Sequence, residues 1–409
     1  MSIHILLIAP SAPPKNSPEA IQVGRLLKLL NPSIRVTLVT PPPVNSGWAR
    51  EDSTLTVDRP RLQVITPTLP VHRLMHRILT NSRLAWYHVP DTEFWLLWFT
   101  QYIIQQLRES PDVIYSRSGP YSAALLAQQL KLVLKRPWLM HLSDPWADSP
   151  YRRLKGKQRT LDQAYESRCF TDADLITLTT EGQANFYRQK YPNRADSISV
   201  TPNMMPVDWR SYRLLKPSPD QAFQKKVRII HVGSLYGDRN PDGLLTAIEN
   251  LFTMIPDIDK KLSIEFVGNM SKELSLKISS YPACIYHGSV SFKEAMQYQI
   301  NADILLCIES KESTPLHQCF LPSKIVDYLA LQKPILALTP KKSVTSHYCH
   351  RGYGWAFEPD DVSGITKFLL SLLQNPNKFQ ISLPPPPIEL DPIRVTTSIE
   401  NKLLALSKV

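Results

Sequence analysis

The chain has 409 residues, and 43% of them are hydrophobic, enough for two full cores and unlike a mainly disordered chain. A net charge of +11 points to anionic partners: nucleotides, phospholipid surfaces or nucleic acid. Five irregularly spaced cysteines give neither a disulfide framework nor a Cys-x-x-Cys zinc pattern, which fits a reducing compartment, and no apolar run reaches the ~20 residues of a membrane span.

The start "MSIHILLIAP" lacks the charged region of a signal peptide and reads as a first strand. After it, "SPEAIQVGRLLKLLN" has apolar residues at helical spacing, with Ser17 as cap and Pro18 at the first helical position. "IRVTLVT" and "RLQVITP" follow as strands. Next come "DVIYS" (112–116), "PWLMHLS" (137–143) and "DLITLTT" (174–180), each leading into a helical stretch. Continuous apolar strands separated by helices predict a parallel sheet covered on both faces.

The polar, proline-bearing segment 216–226 reads as a linker, after which the pattern restarts with "VRIIHVG", "LSIEFVG", "CIYHG", "DILLCIE", "PILALT" and "WAFE". "SLPPPPIELDPIR" (382–394) reads as an extended connector before a last helix. The expected fold is α/β, with two Rossmann-like doubly wound parallel-sheet domains facing a central cleft. Their expected extents are 1–215 and 216–380, with 381–409 returning to the first. Ligands of such folds bind outside the carboxyl ends of the strands. No Gly-x-Gly-x-x-Gly or Gly-Lys-Ser/Thr loop follows either first strand, which disfavours nicotinamide cofactors and ATP hydrolysis.

Phosphate would have to be held another way, and "CFLPSKIVDYLALQKPILAL" (319–338) offers one. Pro322, Ser323 and Lys324 open a short helix whose unpaired N–H groups, with a lysine beside them, can hold an anion.

These motifs, in this order along nearly the whole chain, resemble the GT-B glycosyltransferases, and within them the retaining family four group, in a branch with a Pro-Ser-Lys donor helix. The similar segments are "IAPSAPPKNSPEAIQVGRLLKLL", "VPDTEFWLLW", "PDVIYSRSGPYSAALLA", "WLMHLSDPWADSP", "ADLITLTTEGQANFYRQKYP", "ISVTPNMMPVD", "IIHVGSLYGDRNPDGLLTAI" and "FLPSKIVDYLALQKPILAL".

The resemblance implies that the anion is the diphosphate of a nucleotide-sugar. Ser323 and Lys324 would add donors to the helix N-terminus, with Pro322 at its start. Asp327 stands where the family usually has a Glu that hydrogen-bonds the ribose hydroxyls. Arg239 matches a family Arg or Lys that contacts the diphosphate. "IYHGSV" (285–290), with Gly288 and Val290, matches the segment that seats the base. On the acceptor side, Asp144 and Trp146 of "HLSDPWAD" match an Asp-x-Trp at a strand end, and Asn16 and Ser17 stand where many relatives have glycines near the donor. Arg239, Lys324 and Asp144 are the implied catalytic residues. A cap on a helix is the plainer reading of Asp144, and His141 reads as a core residue.

Two positions depart from the family pattern: Cys319 replaces the first of two glutamates, and Ser234 an arginine. No metal or cofactor is expected beyond the nucleotide-sugar co-substrate. The Asp-x-Asp at 172–174 reads as a strand start, and "HYCH" (347–350) lacks a fourth ligand at zinc spacing. Expected partners are the nucleotide-sugar donor and a glycan or lipid-linked acceptor, with no nucleic acid. The basic stretches "YRRLKGKQR" (151–159) and "HRLMHRILTNSRLAWYH" (72–88) suggest an anionic membrane surface. The expected location is cytoplasmic, peripheral on the inner membrane face. A non-catalytic GT-B scaffold and a nucleotide-sugar 2-epimerase are the alternative readings.

Overall fold

The structure is a computed structural model and describes residues 3–43, 50–69, 89–152, 154–212, 226–311, 314–379 and 381–408. The basic stretch 72–88, Arg153 and the linker residues 216–225 lie outside the described residues. The chain divides into two compact units, Met1–Val207 with Glu389–Val409, and Asp208–Ile388.

The first unit is built on a seven-stranded parallel sheet. In chain order its strands are β1 (His4–Ile8), β3 (Arg35–Val39), β5 (Leu62–Ile65), β6 (Val113–Ser118), β7 (Trp138–Leu142), β8 (Leu175–Leu178) and β9 (Ile198–Val200), arranged 5-3-1-6-7-8-9. Two short antiparallel strands, β2 (Lys15–Asn16) and β4 (Arg50–Glu51), lie outside it. Strand β1 explains why the apolar run is continuous: Ile5 and Leu7 enter one core, and Leu6 and Ile8 the other. A parallel strand between two helical layers has no solvent face to leave polar.

Helix α1 (Pro18–Leu29) starts where the sequence predicts, with the Ser17 hydroxyl accepting from the Ala20 N–H at 3.1 Å. The C-terminal helix Pro392–Leu406 sends Val395, Ile399 and Leu403, one turn apart, into the core that holds Val23, Leu26 and Leu27 of α1. Burying each such aliphatic side chain contributes about 1.5–3 kcal/mol.

The second unit repeats the architecture with six parallel strands. These are β10 (Val227–Val232), β11 (Leu262–Val267), β12 (Cys284–Gly288), β13 (Ile304–Ile308), β14 (Ile335–Leu338) and β15 (Gly354–Phe357), ordered 12-11-10-13-14-15. The strand order reverses between β10 and β13, so the connections that leave their carboxyl ends run in opposite directions and create a switch point there. Trp209–Tyr212 packs against the helix Ser323–Leu331 of this unit. Both sheets are thus Rossmann-like.

Candidate functional site

In the second unit, the helix α2 (Ser323–Leu331) begins at Pro322, and no side chain caps it. Its first N–H groups are left for solvent or a ligand. Lys324 turns from this first turn onto the carboxyl end of β10. A Cβ on Gly233 would stand 2.9 Å from Lys324 Nζ and 3.1 Å from Cε. Gly233, at φ +127°, is therefore a glycine for two reasons: the backbone angle, and the lysine lying over it.

Lys324 Nζ lies 3.2 Å from Nε2 of His231, a fully buried residue of β10. The other ring nitrogen of His231, Nδ1, is 3.1 Å from the Leu306 carbonyl. A carbonyl only accepts, so Nδ1 carries the proton and Nε2 accepts from the lysine. Burial, and then the Lys324 charge, hold the His231 pKa well below its ordinary value, which keeps the ring neutral. Burial, with the charge of Arg239, lowers the Lys324 pKa to about 8 against the opposing pull of Cys307 and Glu309.

Arg239 follows in the loop after β10, its guanidinium over the Tyr236 ring at 4.6 Å. Glu309 is the residue after β13, buried at 5% exposure. Burial raises its pKa, while the charges of Arg239 and Lys324 act in the opposite direction. Lys324 thus meets His231 directly, and the charges of Arg239 and Glu309 act on it from the ends of β10 and β13.

The remaining donor-side residues are more scattered. Gly288 ends β12 at φ +77°, in open space, and its carbonyl accepts from the Gly268 N–H at 2.7 Å. Val290 follows it, half-buried, just before the helix capped by Ser291. Tyr286 donates to the Gly268 carbonyl at 3.1 Å. Ser323 is half-buried at the head of α2, whereas Asp327 is 8% exposed. Cys319 is half-buried at the end of the turn Pro315–Cys319.

In the first unit, the carboxyl ends of β6 and β7 meet the start of α1. Arg117 Nε donates to Glu19 Oε1 at 2.6 Å and Nη1 to the Tyr115 hydroxyl at 3.1 Å. Ser143 donates to the other Glu19 oxygen at 2.5 Å. Burial opposes the Arg117 charge, but Glu19 outweighs it and the pKa is raised. Asn16 donates to Asp52 at 3.0 Å across the β2–β4 pair, and Ser17 is committed to capping α1.

Asp144 is exposed in the loop after β7. The next helix, Gly156–Asp172, has Lys155 at its cap position, so Asp144 does not cap it. Trp146 differs from its expected position facing an acceptor. It is fully buried, stacked on Tyr121 at 5.0 Å, with Nε1 donating to Asp162 at 2.9 Å. An indole this apolar and this large is better placed in the core than at a polar mouth. It braces the loop that carries Asp144. So does Glu166, fully buried, which accepts from the Ala147 N–H at 2.8 Å and the Tyr191 hydroxyl at 2.7 Å.

Of the stretch 151–159, Arg152 is turned inward. It pairs with the buried Asp162 and donates to the Pro90 carbonyl at 2.7 Å. Lys155, Lys157 and Arg159 are exposed. Of the Asp-x-Asp, Asp172 accepts from Gln128, and Asp174 accepts from the Trp138 N–H at 2.7 Å and pairs with Lys131. Both carboxylates are engaged at the amino ends of the strands, away from the ends where such folds bind ligands. His141 is buried beside Thr177, as a core residue.

A family model for a glycosyl transferase 4-like domain matches residues 20–204. No curated protein sequence matches the chain. Among solved structures, the chain is similar to the UDP-forming α,α-trehalose-phosphate synthase of Burkholderia xenovorans, in complex with glucose-6-phosphate. That likeness has 13% identity, a TM-score of 0.65, and covers 98% of this chain and 99% of that one. Anabaena Alr3699/HepE, in complex with UDP, is 14% identical with a TM-score of 0.62, covering 99% and 100%. A UDP-N-acetylglucosamine 2-epimerase described from Listeria monocytogenes is 11% identical with a TM-score of 0.56, covering 98% and 95%. At these identities the likeness is one of fold, and the fold is GT-B.

His231, Glu309, Glu19 and Arg117 were not visible as site residues in the sequence. His231 sits inside an apolar strand run, and Glu309 closes another. The only available signal was an ionisable residue at or near the carboxyl end of a buried strand, where its charge has to be used or paired.

Proposed function

We propose that this protein is a retaining glycosyltransferase that moves a sugar from a nucleoside-diphosphate sugar to an acceptor hydroxyl, in cell-surface polysaccharide or glycolipid synthesis. The observation that carries the reading is Lys324 held at the uncapped start of α2 and over Gly233, with Arg239 close enough to act on its charge. Charge builds on the departing diphosphate, and cations with a helix N-terminus are what stabilise it. In this reading Arg239, Lys324 and Ser323 take the diphosphate, the backbone near Gly288 and Val290 seats the base, and Asp327 takes the ribose. The acceptor attacks from the face the phosphate leaves, and that phosphate takes its proton. Asp144, exposed on its braced loop, orients the acceptor. No metal is required. The exposed Lys155, Lys157 and Arg159 would rest on an anionic membrane at the cytoplasmic face.

A thermal-shift panel of UDP-, GDP- and ADP-sugars tests the donor, since a ligand that binds only the native state raises the apparent Tm. NMR of the product formed with the stabilising donor then reads the anomeric configuration. No shift with any donor sinks the reading. Release of a free epimerised sugar makes the protein a nucleotide-sugar 2-epimerase instead.

A further inference from the structure

We infer that His231 is a positioning residue: its neutral imidazole accepts a hydrogen bond from Lys324 and so fixes the amine where a diphosphate would bind. The inference rests on the proposed donor site. Three contacts carry it. His231 lies on β10 with Nδ1 anchored to Leu306 of β13 at 3.1 Å, which turns Nε2 toward the carboxyl end of the strand. Lys324 Nζ meets that nitrogen at 3.2 Å. One turn further along α2, the Tyr328 hydroxyl accepts from the Val232 N–H at 3.1 Å and lies 3.2 Å from the same Leu306 carbonyl. The helix face carrying residues 324 and 328 is thus pinned twice to the ends of β10 and β13.

A free lysine has a long stem and loses rotamer freedom when fixed. An acceptor at its tip takes that loss before the ligand arrives, and it uses one of three N–H groups, leaving two for phosphate oxygens. A histidine suits this place because a carboxylate would neutralise the lysine and compete with the diphosphate, whereas a neutral ring does not. The other groups acting on the Lys324 charge are Cys307 and Glu309 at β13, and Arg239 in the loop after β10.

Two measurements test this. The first is the pH titration of the Lys324 amine, read as its rate of acylation by mass spectrometry, in wild type, His231→Leu and His231→Gln. Loss of the acceptor lowers the titration midpoint by roughly half a unit or more, because the ammonium loses a partner. Glutamine, which can donate to Leu306 and accept from Lys324, restores it. Should the leucine variant not fold, His231→Phe, which keeps a ring in place but offers no acceptor, has to show the same downward shift.

The second is calorimetric binding of UDP, GDP and ADP. His231→Leu weakens the tightest of them by about tenfold, the scale of one charged hydrogen bond. The loss vanishes in a Lys324→Met background. An unchanged titration midpoint overturns the role of His231 while leaving the donor site standing, as does an equal affinity loss with and without Lys324. If no nucleotide binds the wild type, the donor site falls and this inference falls with it.

Discussion

The guanidinium of Arg152 grips the buried carboxylate of Asp162 with two parallel hydrogen bonds, Nε to Oδ2 at 2.9 Å and Nη2 to Oδ1 at 2.8 Å. Asp162 also holds the Trp146 indole, so this pair supports the loop that presents Asp144. Arg152→Ser leaves a carboxylate buried without its cation and is expected to cost about 3–5 kcal/mol in urea denaturation. Replacing the exposed Lys155, Lys157 and Arg159 with Ser should leave the denaturation midpoint unchanged. The same triple variant should weaken co-sedimentation with anionic vesicles by about tenfold or more, an effect that high salt abolishes in the wild type. Equal binding to neutral and anionic vesicles would remove the membrane surface from the proposal.

Lys324→Ala and Arg239→Ala should each lower kcat by about 100-fold or more with the preferred nucleotide-sugar, the usual effect of deleting one charge-stabilising donor. Thermal stability should not fall with the activity, since neither side chain belongs to the apolar core. Near wild-type turnover in both variants would rule out the diphosphate clamp.

Lys324 also predicts a pH dependence. Its pKa is lowered to about 8 in the fold, below the unfolded value, so between about pH 8 and pH 10.5 the unfolded chain binds more protons. Stability contributed by this group therefore rises with pH across that window, and below pH 8 the fold carries an unfavourable buried charge. A bound diphosphate reverses the preference, because it favours the ammonium. Nucleotide binding near pH 8 to 9 should take up protons, seen as a binding enthalpy that varies with the ionisation enthalpy of the buffer. Lys324→Met should bind without that uptake.

Asp327 is tested by its discrimination between sugars. Asp327→Ala should weaken nucleoside-diphosphate binding by roughly 1–3 kcal/mol, and a 2′-deoxynucleotide should bind the wild type nearly as poorly. Calorimetry in which the variant still strongly prefers the ribonucleotide would make this buried carboxylate a structural residue of α2.

Glu19 and Arg117 form a buried pair at the head of α1, with side-chain exposures of 8% and 3%. Glu19→Gln is expected to destabilise the first unit by about 3 kcal/mol or more, because Arg117 keeps its charge without a partner. Adding Arg117→Met should recover most of that loss in chemical denaturation. If the double variant is no more stable than the single, the pair is not what holds this corner.

The sequence alone determined the two parallel sheets. Runs such as "ILLI" (5–8) and "ILLCI" are apolar at every position, and a strand of that kind is stable only with helices on both faces, so the pattern was enough to read the architecture. It also determined the Ser17 cap and the start of α2, because caps depend on neighbours a few residues apart. What only the tertiary structure decided were the relations that depend on long-range approach. Trp146 and Arg152 read as surface or cleft residues in the sequence, and both are drawn inward by Asp162, whose burial no local pattern reveals. His231 comes within reach of Lys324 across 93 residues of chain, because β10 is the central strand where the order reverses. An ionisable side chain in an apolar strand carries no sequence mark of its partner. The partner is set by which strand ends and helix starts the sheet brings together.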